Sequence, residues 1–102
     1  MTTVRVLRRG SDTFELTKEA WAQALALALR YGWNPPGPST SYLADGFHVS
    51  TPNARNLSDA FERIFDHALR DPIGFYPVQI DMALLSLLHD FIEDGQFDIG
   101  SN

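Results

Sequence analysis

Hydrophobic positions change their period several times along this chain, and each change marks an element. From Val4 to Arg8 the residues alternate, with Val4, Val6 and Arg8 set against Arg5 and Leu7, the period of a strand. Arg9-Gly10-Ser11-Asp12 is a turn cluster and Thr13-Phe14-Glu15-Leu16 resumes the alternation, so the pattern predicts a hairpin. Thr17 then reads as an N-cap. Behind it Ala20, Trp21, Ala24, Leu25 and Ala28 mark one helical face, which Leu27 and Leu29 widen until the helix is apolar nearly all round. Gly32 suits the left-handed position after the last turn.

Residues 33–46 carry three prolines, two glycines and a Ser-Thr-Ser run, and read as a loop with Trp33 and Tyr42 as its anchors. Phe47-His48-Val49 is a short strand. Ser50 or Thr51 caps the next helix, with Pro52 in its first turn. That helix has a broad apolar stripe of Ala54, Leu57, Ala60, Phe61, Ile64, Phe65, Ala68 and Leu69, and Asp59–Arg63 and Asp66–Arg70 are i,i+4 pairs on its outer side. Asp71-Pro72 ends it. Ile73-Gly74-Phe75-Tyr76 is an apolar connector, and Pro77 is expected to open a third helix with Val78, Met82, Leu85, Leu88, Phe91 and Ile92 apolar. Asp94-Gly95 closes this helix, and Phe97-Asp98-Ile99 is a last short strand.

The expected fold is therefore α+β, a single globular domain over residues 1–102. Its order is β-β-α-β-α-α-β, with three helices packed on one face of a small, mostly antiparallel sheet. Trp21, Leu25, Leu57, Phe61, Ile64, Phe65, Leu85 and Leu88 are the expected core.

Composition sharpens this picture. A chain of 102 residues with 44% hydrophobic content can bury one core without staples. It has no cysteine, which excludes disulfides and thiolate metal sites and fits a reducing, cytoplasmic compartment. The first residues lack the apolar run of a secretory signal, and Arg30, Asp81 and His89 interrupt the apolar stretches before membrane-spanning length, so no membrane partner is expected. The formal charge of −5 is unevenly spread: residues 1–70 hold all eight Lys and Arg against seven acids, whereas residues 71–102 hold six acids and no Lys or Arg. Such an acidic third repels a phosphate backbone and attracts a basic protein surface. It can equally be a solvated face that keeps the chain soluble.

The order of these signals resembles a family of small bacterial proteins of no assigned activity. The residues that carry the resemblance are Trp21, Tyr31-Gly32-Trp33-Asn34-Pro35, Asp45-Gly46-Phe47-His48-Val49-Ser50, Asn53 to Arg63, and Asp94-Gly95-Gln96-Phe97-Asp98-Ile99. Phe47-His48 and Gly95-Gln96 depart from the family's pattern. The resemblance implies a shared compact fold and no mechanism.

Chemistry-bearing residues are sparse. No nucleophile elbow, P-loop, dinucleotide fingerprint or His-Glu-x-x-His motif occurs. Phe14-Glu15-Leu16, Phe47-His48-Val49 and Phe97-Asp98-Ile99 share the order aromatic, ionisable, aliphatic, which puts Glu15, His48 and Asp98 on one sheet face. If the three strands are neighbours, this polar cluster could hold a divalent metal or share a proton; otherwise they are exposed strand residues. His89 and Glu93 stand one helical turn apart, a spacing that can chelate metal but does not alone specify a site. No cofactor and no tight metal site are expected. Trp33 and Tyr42 could form an aromatic platform or simply anchor the loop. Arg5, Arg8 and Arg9 could form a nucleic-acid arm, against which the acidity of the chain argues; pairing of their strand with the acidic third is the better expectation. Ile73, Phe75, Tyr76 and Asp81 are the candidate partner surface, an apolar patch beside acidic charge. The expected function is non-catalytic: protein–protein interaction, immunity-like or regulatory, by self-association or with a basic partner. The alternative is a small enzyme or metal-dependent site centred on His48 with Glu15 and Asp98.

Overall fold

The computed structural model of the chain describes residues 4–71 and 81–101. In these residues strands β1 (Val4–Arg9), β2 (Asp12–Thr17), β3 (Phe47–Val49) and β4 (Phe97–Ser101) form one antiparallel sheet, and helices α1 (Lys18–Arg30), α2 (Thr51–Arg70) and α3 (Met82–Glu93) pack on it. The architecture is the expected α+β order, β-β-α-β-α-α-β. A 3₁₀ segment, Ser39–Leu43, interrupts the long loop.

Sheet order is β2-β1-β4-β3, so the last strand inserts between β1 and β3. The β1–β2 hairpin closes through Gly10-Ser11, with Gly10 at φ +60°, a conformation a primed two-residue turn requires. Leu7, Leu16, Val49, Phe97 and Ile99 join the helices in one buried cluster. Leu7 thus faces the helices while its neighbour Val6 lies on the opposite sheet face.

Local chemistry fixes the helix ends. The Thr17 hydroxyl accepts from the Ala20 amide and the Ser50 hydroxyl from the Asn53 amide. At the end of α1 the Trp33 amide donates to the Ala28 carbonyl and the Gly32 amide to the Leu29 carbonyl, the paired bonds of a Schellman cap. Gly32 sits at φ +90° in that cap. The motif sends Trp33 inward at its C″ position, where it is buried.

Four expectations need correcting. Asp81 has extended backbone and its carboxylate accepts from the Ala83 amide, so α3 starts at Met82; the expected opening at Pro77 lies outside the described residues. Leu69 is 83% exposed. At 100° per residue it stands about 140° around α2 from Ile64, beyond the edge of the stripe. Phe65, at that edge, is only partly buried, with its ring against His89. Leu29 is exposed on the outer side of α1. The other expected core residues are buried.

Candidate functional site

The Glu15, His48 and Asp98 constellation does not assemble. His48 and Asp98 are register partners on β3 and β4, and His48 Nδ1 lies 2.7 Å from Asp98 Oδ1. Glu15 is on β2, opposite Val6 of β1, which is itself opposite Gly100 of β4. Two strand spacings, about 10 Å in all, therefore separate the strand of Glu15 from that of Asp98, with a two-residue offset along the strands. Arg8 lies between Thr13 and Asp98 in the same row, and its guanidinium lies over Gly100, so close that a Cβ at residue 100 would stand 2.6 Å from Nη1. The His48–Asp98 pair sits on an open sheet face, with side chains 53% and 63% exposed. An open surface pair neither excludes water nor surrounds a substrate.

The arginines of β1 divide by face. Arg5 is 4% exposed and points toward the end of the loop: its guanidinium pairs with Asp45 at 2.5 Å and donates to the Leu43 carbonyl at 2.9 Å. The Ser101 hydroxyl donates to the same Asp45 carboxylate. These hydrogen bonds, the Ser101 one first, hold the Asp45 carboxyl below its ordinary pKa. Arg9 donates to the carbonyls of Phe91, Gly95 and Gln96 and stacks 4.4 Å over the Phe91 ring, capping the end of α3. Two of the three basic residues are thus internal fastenings. Pairing of β1 with the acidic third is realised along β4.

Trp33 and Tyr42 are both buried and meet edge to face at 4.9 Å. The Phe47 ring also packs against Tyr42, with centroids 4.9 Å apart. No exposed platform exists at these two rings, and burial raises the pKa of the Tyr42 phenol. The Trp21 indole N–H donates to the Tyr42 carbonyl at 2.7 Å, so a residue of α1 fastens the 3₁₀ segment from below.

Of the candidate partner surface, Ile73, Phe75 and Tyr76 lie outside the described residues. Asp81 is exposed and serves as the cap of α3. The outer stripe of α3 runs through Ala83, Leu87, Asp90 and Asp94, all exposed, with Leu87 60% exposed. Beside it, His89 is 12% exposed and gathers carboxylates from two helices. Asp90 Oδ1 is 3.2 Å from its Nδ1, and Glu62 of α2 and Glu93 of α3 stand 3.7 and 3.8 Å from its Nε2. Ligand atoms of His89, Asp90 and Glu93 lie within 4.8 Å of one another, so this is where a metal could be held if anywhere among the described residues. Glu62 escaped the sequence reading because nothing local tells which α2 carboxylate the α3 histidine will face.

A second polar site lies on the other side of α2. Gly32, Asn34, Asn56, Asp59 and Arg63 line a solvent-open cleft of about 320 Å³. The Arg63 Nε–H donates to the Tyr31 carbonyl at 2.6 Å, tying α2 to the cap of α1. The segments Tyr31 to Pro35 and Asn53 to Arg63, which carry the family resemblance, meet here. Nearby, Tyr31 Oη and His67 Nδ1 are 2.5 Å apart.

No family model, curated protein or solved structure matches the chain. Among the described residues no helix is long and apolar enough to cross a membrane.

Proposed function

We propose that this is a small cytoplasmic binding protein, non-catalytic, that acts by docking a basic protein partner on the outer face of α3 and the adjoining edge of α2. The observation that supports this best is the exposed side chain of Leu87 beside Asp90, with Glu93 and then Glu62 following round the helix toward His89. An exposed apolar contact flanked on one side by acids suits a partner of opposite charge. Residues 71–102 add no Lys or Arg that would neutralise the face. The inward use of Arg5 and Arg9 breaks up the one basic cluster that could serve as a nucleic-acid arm. The absence of cysteine fits a reducing compartment. An immunity-like or regulatory role accords with a surface of this kind and with the lack of a catalytic constellation at His48.

Affinity capture from the source organism tests the reading when wild type is compared with Glu62→Lys/Asp90→Lys/Glu93→Lys and with Leu87→Asp. A basic partner recovered by wild type at low salt and lost in both variants supports it. A partner retained by both folded variants places the contact elsewhere and defeats it.

A further inference from the structure

On an exposed helix, an acid four residues before a base ordinarily closes on that base. Asp66 and Arg70 of α2 do so at 2.6 Å. Asp59 and Arg63, two turns nearer the N-terminus, do not: Arg63 is drawn aside by the Tyr31 carbonyl. Among the described residues the Nη1/Nη2 edge of Arg63 and the carboxylate of Asp59 then make no hydrogen bond or ion pair, and both residues line the same cleft. The carboxamides of Asn34 and Asn56 complete its walls. Gly32 leaves the guanidinium uncovered on its side, since a Cβ there would lie in van der Waals contact with it, 3.5 Å from Nη2.

A cation and an anion held apart on one concave wall, with two carboxamides that can each donate and accept, form the complement of a ligand that also carries both charges. We propose that this cleft binds a small zwitterion of the amino-acid or short-peptide class. Its carboxylate takes the free Nη1/Nη2 edge of Arg63 in the bidentate geometry of that pairing. Its ammonium pairs with Asp59, and Asn34 and Asn56 meet the polar atoms between. The charged ends of Asp59 and Arg63 stand beyond ion-pair reach of each other, which suits the separated ends of a dipeptide better than those of a single glycine. The site is independent of the α3 face.

Amide chemical-shift titration of the full chain tests this with three probes: glycylglycine, N-acetylglycine and glycinamide. Glycylglycine is expected to move the signals of Gly32, Asn34 and Asn56 saturably, and the one-ended probes to bind about tenfold more weakly or less. Asp59→Asn, an exposed change that leaves the core alone, should abolish the preference of the cleft for glycylglycine over N-acetylglycine while the Trp21 and Trp33 indole signals stay in place. Arg63→Ala also removes the bond to Tyr31, so it is judged second, with those indole signals as its fold control; it should lose N-acetylglycine altogether. Absence of saturable shifts with glycylglycine, equal shifts with all three probes, or a preference that survives in Asp59→Asn would overturn the assignment.

Discussion

Trp21 donates its indole N–H to the carbonyl oxygen of Tyr42, and this single bond joins the first helix to the middle of the long loop. Both groups are buried, so neither can turn to water when its partner is lost. Trp21→Phe keeps most of the apolar volume but leaves the Tyr42 carbonyl unpaired. It should lower unfolding free energy in urea by about 1–3 kcal/mol. Trp21→Ala adds a cavity and should cost about 3–5 kcal/mol. Equal midpoints for Trp21→Phe and wild type would show that the bond contributes nothing.

The exposed Leu69 and the buried Phe61 offer a paired test of the α2 face. Phe61→Ala should cost about 3–5 kcal/mol and Leu69→Ala within about 0.5 kcal/mol. Chemical denaturation of the two variants side by side checks the rotation of the helix. A large loss at Leu69 would mean that the stripe is turned.

Glycines 32 and 37 should respond oppositely to alanine. Gly32 is at φ +90° in the cap of α1, where an L side chain is strained, so Gly32→Ala should cost about 1–2 kcal/mol. Gly37 has no such φ and a Cβ there meets nothing within 4 Å. Gly37→Ala should be neutral, or stabilise by up to about 1 kcal/mol through the unfolded chain. Thermal melts of both variants read the difference.

Acid should loosen the Arg5–Asp45 fastening. The folded-state pKa of Asp45 is depressed, chiefly by the Ser101 hydroxyl with help from Arg5. A depressed carboxyl contributes stability that is present above its unfolded pKa, about 3.9, and is lost as pH falls through the lower folded value. Wild type should therefore exceed Asp45→Asn in urea midpoint at neutral pH, and the gap should close below the carboxylate range. A gap that stays constant down to strongly acidic pH would contradict this assignment of the shift.

Features that depend on neighbours in sequence were legible in advance. Helix caps at Thr17 and Ser50, the glycine-ended α1 and the stripe of α2 each rest on contacts within about one turn, so residue type and spacing suffice. The α+β order follows from the same local periods. Asp81 as the cap of α3 belonged to this class, and its position before an apolar run was the missed signal.

Other features depended on which strands lie side by side. The shared aromatic–ionisable–aliphatic pattern gave Glu15, His48 and Asp98 a common sheet face. Only the order β2-β1-β4-β3 joined two of them and left Glu15 beyond β1. Alternation in β1 could not say that Arg5 would turn with Leu7 toward the loop, because its partners Asp45 and Leu43 lie some forty residues away. The gathering of Glu62, Asp90 and Glu93 at His89, and the meeting of Asn34 with Asp59 and Arg63, likewise join helices and loops distant in the chain. Sequence sets what each segment can form because those energies are local; packing of α2 against both α1 and α3 decides which charges meet, because that depends on contacts between segments that spacing alone does not encode.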